Sequence, residues 1–380
     1  MRVLSLFSGI GAFEMALRNI GVEYELVGFS EIDTNAIKSY CAIHGVDESK
    51  LLGDVSKIDT KYIAGSIDLL THGSPCQQFS VEGKKTGGDK GSGTSSSLMW
   101  ETVRIIKDVL PKVVVWENVK NVLSKAHKHN FDEYIETLNN LGYESHYRII
   151  NSMDFGLPQN RERVFCISVL DGAIDFKFPQ KRGLNIQVKD LLEEKVDDKY
   201  YLKSDALEWK LIEFTQDYDV INIKQATKQG YIELKRGGVC DLNRPNSKTR
   251  RGRVQFNGTV SPTVTASVQS IYYIEEDNRV RNLTPLETWR LQGFSDNDYK
   301  VASEVCTETY LYKQSGNSIS VNVLEDIFKQ LYGDLIKNCP CCNSKLIIAD
   351  EVYGENGFWY CENDDCDTHI VRQIKEDECI

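Results

Sequence analysis

The sequence lacks any apolar run long enough to cross a membrane, which takes about 20 consecutive residues. Its first seven residues are mostly apolar, but Gly9 and Gly11 follow at once, so this run is too short for the core of a signal peptide. We therefore interpret it as a first β-strand and expect a cytoplasmic protein without membrane association. The 380 residues are 41% hydrophobic and 27% charged, which is typical of a globular chain with two or three domains.

The cysteines also lack the dense spacing of a disulfide framework. Eleven of them are spread over 380 residues and gather toward the C-terminus, which suits a reducing compartment and a metal site. Two close cysteine pairs match the zinc-ribbon pattern, with eighteen residues between the pairs. They are Cys339 with Cys342 and Cys361 with Cys366. Cys341 and His369 are rival ligands. Because the second pair lies among acidic residues, we expect one structural zinc rather than a phosphate-binding module.

No excess of positive charge marks the chain as a whole, since its net charge is −11. Residues 224–253, however, contain nine basic and two acidic residues, a net +7, which leaves −18 for the remainder. A basic segment on an acidic body predicts a surface that contacts phosphates, although a solvated loop is the plainer alternative. The candidate contacts, to bases or to phosphates, are Arg244, Lys248, Arg250, Arg251 and Arg253.

The N-terminal glycine turn lacks the third glycine of a dinucleotide-binding fingerprint. A strand is predicted over residues 3–7 and a helix from residue 12, with Gly9 and Gly11 in the turn between them. Glu14 occupies the position of the third glycine, which disfavours NAD. Backbone N–H groups and a helix N-terminus would still face a ligand at this turn.

Two acidic residues follow the next predicted strands. Glu31 ends a strand over residues 24–29, twenty residues after Gly11, and this distance suits a grip on ribose hydroxyls. Asp54 closes a third predicted strand–helix unit and could accept a hydrogen bond from an adenine amino group. Surface carboxylates or helix caps are the alternative for both. The glycine turn together with Glu31 and Asp54 favours a nucleoside ligand without a pyrophosphate, such as S-adenosylmethionine.

One cysteine stands where chemistry is expected. Residues 67–70 predict a short buried strand, and Pro75 and Cys76 follow in the loop at its carboxyl end. Ligands gather at this end of the strands in open α/β sheets, and a thiolate is a strong nucleophile. A small buried thiol is the alternative, but it explains neither Pro75 nor the polar Gln77 that follows.

Further polar groups follow the later predicted strands. Glu117 comes after a strand over residues 112–116 and is suited to act as a general acid or hydrogen-bond donor. Arg161 and Arg163 are two residues apart in a strand and so point to one face, where both could meet one substrate group, unless they form exposed salt bridges. The Gly/Ser-rich residues 81–97 predict either a lid or a linker.

The order of these elements predicts an α/β protein with a doubly wound, mostly parallel, Rossmann-like sheet. Thr284 and Glu287 form a capping pattern at the start of a helix, and a helix over residues 319–331 should pack back on the first domain. The expected regions are a catalytic domain (1–183), a small β/loop recognition domain (184–280), a return segment (281–335) and a zinc ribbon (336–380).

Several short motifs occur in the order seen in DNA (cytosine-5) methyltransferases of bacterial or phage type, and over most of residues 1–335 the chain resembles that family. The motifs are Phe7-x-Gly9-x-Gly11, Pro75-Cys76-Gln77, Glu117-Asn118-Val119, Gln159-x-Arg161-x-Arg163 and Gly316-Asn317-Ser318. Five ordered motifs are far more specific than any one of them.

The resemblance implies methyl transfer from S-adenosylmethionine to C5 of a cytosine flipped out of duplex DNA. It implies that Cys76 attacks C6, that Glu117 holds N3 and the exocyclic amine, and that Arg163 contacts the base carbonyl with Arg161 nearby. The positions implied to contact the cofactor are Phe7, Gly9, Gly11, Glu31, Asp54 and Asn317.

The expected partners are duplex DNA and a cognate restriction endonuclease, and we expect a monomer. A tRNA cytosine-5 methyltransferase on the same scaffold is the second hypothesis, and a catalytically silent DNA-binding relative is the third. The base that removes the C5 proton is not identified by the sequence.

Overall fold

A six-stranded, mostly parallel sheet forms the centre of the molecule in the computed structural model. Its strand order is β2-β1-β3-β4-β6-β5, and only β6 runs antiparallel to its neighbours. The strands are β1 (Arg2–Leu6), β2 (Glu25–Ser30), β3 (Leu69–His72), β4 (Val113–Val119), β5 (Tyr143–Asn151) and β6 (Glu162–Leu170). The structure describes residues 1–75, 89–92, 94–203, 212–214, 219–243, 246–247, 254, 257–266, 271–335, 346–348, 356–361 and 369–373.

Helices cover both faces of this sheet, which confirms the predicted doubly wound arrangement. Alternate residues of β4 point to opposite sides, so that Val113 and Val115 enter one core and Val114 and Trp116 the other. The helices on the first side are α1 (Ala12–Asn19) and α8 (Val321–Tyr332), and those on the second are α3 (Met99–Val109) and α4 (Lys128–Asn139). The predicted return of the last helix onto the first domain is confirmed by its packing against α1.

The predicted third strand–helix unit was wrong in its first half. Residue Leu51 makes a single parallel bridge to Phe29, and the chain then turns into a short 3₁₀ helix, Val55–Lys57. Asp54 is the N-cap of that helix, which explains why an extended strand does not continue there. The strand that precedes Cys76 in the sequence, β3, is therefore the third along the chain.

The part of the chain predicted to recognise the target is rich in short strands. Two antiparallel three-stranded sheets lie here, β7–β8–β9 and β10–β11–β12. Their strands are β7 (Ile212–Phe214), β8 (Val220–Lys224), β9 (Tyr231–Lys235), β10 (Val239–Asp241), β11 (Ile271–Ile274) and β12 (Val280–Asn282). The pairing of β12 with β11 joins residues 280–282 to the second of these sheets.

Helices make up most of the return segment. The capping box of Thr284 and Glu287 is confirmed at the start of α5, where each side chain bonds the other residue's backbone N–H. The helices of this segment before α8 are α5 (Pro285–Arg290), α6 (Asp296–Val305) and α7 (Glu308–Asn317). The remaining helix, α2 (Thr34–His44), begins at the cap Asp33 and packs against α6.

Another antiparallel sheet lies near the C-terminus, with strands β13 (Leu346–Ile348), β14 (Asn356–Cys361) and β15 (His369–Gln373). Among the residues that the structure describes, no helix is both long and apolar enough to span a membrane.

A close approach between Gly11 and His44 joins the glycine turn to α2. Gly11 has a φ of +80°, and a Cβ atom there would lie 2.1 Å from Nε2 of His44. The same ring nitrogen is 3.1 Å from the carbonyl oxygen of Ile10. Burial lowers the pKa of His44 to about 4, although its hydrogen bond with Ile10 acts in the opposite direction. The native protein therefore holds this ring neutral.

We predict that His44 makes the protein sensitive to mild acid. Below about pH 6.5 the unfolded chain protonates this histidine while the native state does not, so the free energy of unfolding falls until the pH nears 4. The loss between pH 7.5 and 5 should be about 2 kcal/mol from this residue. Urea unfolding measures this loss. In His44→Gln, the difference in the free energy of unfolding between pH 7.5 and pH 5 should be smaller by that amount.

His44→Phe is the matched variant, since it also removes the titration but cannot hydrogen bond to Ile10. In both variants the free energy of unfolding should differ less between the two pH values than in the wild type, whatever their stability at pH 7.5. An unchanged difference in both would contradict the assignment.

Candidate active site

A cavity of about 350 Å³ opens at the carboxyl ends of β1 to β4. This is the edge of an open α/β sheet where loops that follow parallel strands converge. Eight residues singled out in the sequence line it together, namely Phe7, Gly9, Glu31, Asp54, Glu117, Arg161, Arg163 and Asn317. Side chains that are far apart along the chain therefore meet in one space.

The glycine turn forms one wall of this cavity. Phe7 and Gly9 both have positive φ angles, +54° and +57°, which turn the chain sharply out of β1. A positive φ is rare for a bulky residue and marks a strained position of a kind often found at functional sites. Gly11 contributes by packing against α2 at the base of the turn.

Glu31 fixes the turn to the end of β2. Its Oε2 accepts a hydrogen bond from the N–H of Gly9 at 2.9 Å, and its Oε1 accepts from Ile32 and Asp33 at 2.7 and 2.9 Å. Glu31 also lines the cavity, and a carboxylate can accept about four hydrogen bonds, one more than these three. The geometry is suited to receive a hydroxyl group of a ligand.

Asp54 and Asn317 add polar groups to the same wall. The N–H and hydroxyl of Ser56 donate to Asp54 at 3.0 and 2.8 Å, and these bonds lower the pKa of its carboxyl. The carboxylate thus serves as the helix cap that the sequence left as an alternative and still lines the cavity. Asn317 is exposed at the end of α7.

A buried ion pair forms the opposite part of the cavity. Nε of Arg163 lies 3.0 Å from Oε1 of Glu117, and the two side chains are 17% and 10% exposed. The antiparallel register pairs Arg163 with Val119, two residues beyond Glu117, so both charged groups lie on one face of the sheet. Burial raises the pKa of the Glu117 carboxyl, although the positive charges of Arg163 and Arg161 oppose the shift.

Arg161 does not share the position of Arg163. It precedes β6, is only 3% exposed, and donates to the backbone oxygens of Val264, Gly316 and Ser318. The expectation that both arginines point to one face required both to lie in the strand, but β6 begins at Glu162 and contains only Arg163. Arg161 instead holds segments together beside the cavity.

Sequence reasoning missed the way in which Trp116 and Asn118 support the loop before Cys76. The indole N–H of Trp116 donates to Oγ of Ser74 at 3.1 Å, and the Asn118 side chain donates to the Ser74 carbonyl at 3.1 Å. Asn118 is buried at the end of an apolar strand, and such a polar residue is the signal that could have revealed this support.

An ion pair at the cavity mouth was also missed. Nζ of Lys313 lies 2.6 Å from Oδ2 of Asp33, linking α7 to the start of α2, and both residues line the cavity. Ile32 and Tyr310 lie nearby in the lining and remain 72% and 38% exposed. Apolar surface at this point could cover one side of a bound ligand.

Several predicted residues fall outside the described part of the chain. These are Cys76, most of the predicted lid, the basic residues Arg244, Lys248, Arg250, Arg251 and Arg253, and the cysteines Cys339, Cys342 and Cys366. Cys361 ends β14. Within the described residues, no group of three or more His, Cys, Asp or Glu side chains is arranged to hold a metal.

Known proteins resemble the chain at the level of sequence. A family model described as C-5 cytosine-specific DNA methylase matches residues 1–333. The Type II methyltransferase M2.ScrFI of Lactococcus lactis subsp. cremoris is 35% identical, over 87% of this chain and 99% of that protein. The orphan methyltransferase M.SPBetaI of Bacillus phage SPbeta is 33% identical, over 87% of this chain and 97% of that protein.

Solved structures share the fold. Dnmt2 methyltransferase of S. pombe superposes with a TM-score of 0.59 at 22% identity, covering 88% of this chain and 99% of that one. The Entamoeba histolytica methyltransferase EhMeth gives a TM-score of 0.63 at 17% identity, covering 88% and 98%. With a family model across residues 1–333 and relatives above 30% identity along nearly their whole length, the chain belongs to the C-5 cytosine-specific DNA methylase family.

Proposed function

We propose that this DNA cytosine-5 methyltransferase uses Cys76, Glu117 and Arg163 to methylate a cytosine rotated out of duplex DNA. The observation that carries the proposal is that the Glu117–Arg163 pair and the glycine turn with Glu31 line one cavity. Rotation of the base is needed because C5 and C6 are inaccessible to a nucleophile inside a stacked duplex.

S-adenosylmethionine is the cofactor that fits the polar groups on the side of the cavity formed by the glycine turn. Glu31 would accept hydrogen bonds from the ribose hydroxyls and Asp54 from the adenine amino group, while Phe7, Gly9 and Asn317 lie along the same space. The volume of about 350 Å³ lies in the range of small-molecule sites. When bound, this cofactor supplies the electrophilic methyl group.

The chain's own residues account for activation of the base. The Cys76 thiolate forms a bond to C6 and thereby raises the electron density at C5. After methyl transfer the C5 proton leaves to a base and the C6–S bond breaks, which restores the thiolate. Burial raises the pKa of the Glu117 carboxyl and so favours uptake of a proton, which the group can then donate to N3 while it accepts from the exocyclic amine; Arg163 orients it and faces the base carbonyl.

The two named relatives support a role in DNA modification. One is called a type II and the other an orphan methyltransferase, and the first name favours a partner endonuclease that acts on the same site. The basic segment 224–253 would hold duplex DNA, and Arg244, Lys248, Arg250, Arg251 and Arg253 remain the predicted contacts. We expect the enzyme to act as a monomer.

Labelled S-adenosylmethionine tests the activity directly, with mixed-sequence duplex DNA and tRNA as parallel substrates. We expect label on DNA cytosines, and bisulfite mapping of the product gives the target site. Cys76→Ser should lower the rate by roughly three orders of magnitude or more and leave DNA binding intact, because the C6 adduct cannot form.

Cys41→Ser is the matched control, because Cys41 is a half-buried thiol on α2 outside the cavity lining. It should methylate DNA at the wild-type rate. Label on tRNA alone, or full activity in Cys76→Ser, would contradict the proposal.

Removal of the Glu117 proton should weaken the chemical step. Glu117→Gln keeps the shape of the side chain but can neither take up nor transfer a proton, so we expect kcat to fall by about 10² to 10⁴ with little change in KM for DNA. Steady-state kinetics on the mapped site measure this. Glu101→Gln on α3, which loses only a surface pair with Arg104, serves as the control, and equal rates in the two variants would count against the role of Glu117.

A structural zinc near the C-terminus is a separate proposal, supported by the register of the last sheet. Leu346 at the start of β13 lies opposite Cys361 at the end of β14, and β15 begins beside the same end. Cys342 precedes β13 by four residues, and Cys366 lies in the connection between β14 and β15. The strand ends that adjoin the cysteine pairs in the sequence therefore lie at one end of the sheet.

Elemental analysis of the purified protein should find about one zinc per chain. The double variant Cys339→Ser/Cys342→Ser should lose it, while Cys341→Ser should keep it. A folded wild-type protein without metal would refute the zinc site, and loss of zinc in Cys341→Ser would assign that rival ligand instead.

A further inference from the structure

The guanidinium of Arg161 joins residues 261–266 of the predicted recognition region to Gly316–Ser318 at the C-terminal end of α7, here called the cofactor-side loop, which lines the cavity. Nη1 donates to the carbonyl of Val264 at 2.8 Å, and Nη2 donates to the carbonyls of Gly316 and Ser318 at 3.2 and 2.6 Å. The three acceptors lie 103 to 157 residues away from Arg161 along the chain. One buried cation thus holds two distant segments at fixed separation.

Residues 261–266, here called the connector, are held along their length by the loop before β6. Oε1 of Gln159 accepts from the N–H of Val264 at 2.9 Å, and Oγ1 of Thr263 donates to the carbonyl of Asn160 at 2.6 Å. Backbone bonds of Ser261 with Pro158 and Asn160 complete the contact, at 2.7 and 2.8 Å. The connector follows the basic segment 224–253 in the chain.

The connector also touches the cofactor-side loop directly. A Cβ atom on Gly316 would lie 2.1 Å from the carbonyl carbon of Thr265 and 2.2 Å from the nitrogen of Ala266. There is therefore no room for either backbone to move toward the other. Asn317, which lines the cavity, lies between the two residues whose carbonyls Arg161 binds.

The same short stretch reaches the catalytic pair. Arg163 is two residues after Arg161 and bonds Glu117, so a shift of the loop before β6 is passed to the ion pair in the cavity. Lysine could not replace Arg161 here, because a single ammonium group lacks the planar fork that spans carbonyls on two segments.

We propose that Arg161 is a positioning residue that couples DNA held by the recognition region to the cofactor held beside Gly316–Ser318. Each ligand then binds more tightly when the other is present, since the connector and the cofactor-side loop move as one body. This inference rests on the proposed cofactor and DNA substrate. By linkage the effect has equal size in both directions.

The experiment measures the Kd of S-adenosylhomocysteine by calorimetry, alone and with saturating duplex that carries the mapped site. In the wild-type protein we expect DNA to lower this Kd by about 5- to 150-fold, the usual range of such coupling. In Arg161→Lys the ratio of the Kd without DNA to the Kd with DNA should fall below about twofold, even where the Kd without DNA changes little.

Arg281→Lys is the matched control for loss of a buried arginine. Arg281 is 2% exposed and donates to the carbonyl of Asn282 and to Glu287, away from the cavity lining. It should keep the wild-type ratio even if its melting temperature falls. Thr263→Val removes one peripheral bond of the connector and gives a second test if Arg161→Lys does not fold; it should lower the ratio in part.

A wild-type ratio near one, or a wild-type ratio retained in both Arg161→Lys and Thr263→Val, would overturn the inference. Wild-type protein that neither binds S-adenosylhomocysteine nor methylates DNA would instead refute the proposed function. The two failures are therefore distinguishable.

Discussion

A guanidinium placed in a protein interior must find acceptors for its donors, because an unpaired buried charge is very costly. Arg161 meets this constraint with carbonyl oxygens from the connector, from the last turn of α7 and from the residue after that helix. These acceptors exist only when the return segment has come back onto the first domain. Arg161 can therefore be buried only when the C-terminal part of the domain has packed against the N-terminal part.

The single antiparallel strand of the sheet has a comparable effect on the chemistry. If β6 ran parallel to β4, its first residues would lie near the amino end of β4, far from Glu117 at the carboxyl end. The antiparallel pairing sets Arg163 beside Val119 instead, within reach of the carboxyl group at the end of β4. The ion pair, and the cavity wall that it forms, thus depend on strand direction rather than on sequence proximity.

Local signals explain what the sequence predicted well. The glycine turn, the capping box at Thr284 and the polar residues after buried strands each depend on a few neighbouring residues, and the structure contains them. Spacing alone could not separate Arg161 from Arg163, because their difference arises from acceptors more than a hundred residues away. The support of Ser74 by Trp116 escaped prediction for the same reason, since an indole in an apolar strand is normally only a packing residue.

Charge distribution sets how such an enzyme can meet its substrate. Outside residues 224–253 the chain carries −18, so most of its surface repels a polyanion at distances within about 8 to 10 Å, the screening length at moderate salt. The basic segment offsets this repulsion, and we expect the duplex to approach the enzyme through it. The connector follows the same segment in the chain, and its last residues contact Gly316, so the proposed DNA-binding segment is followed directly by the part of the chain joined to the cavity. An acidic body with one basic segment is consistent with an enzyme that must reject nonproductive contacts along a long polymer, because each extra phosphate contact would strengthen nonspecific binding without bringing a cytosine to the cavity.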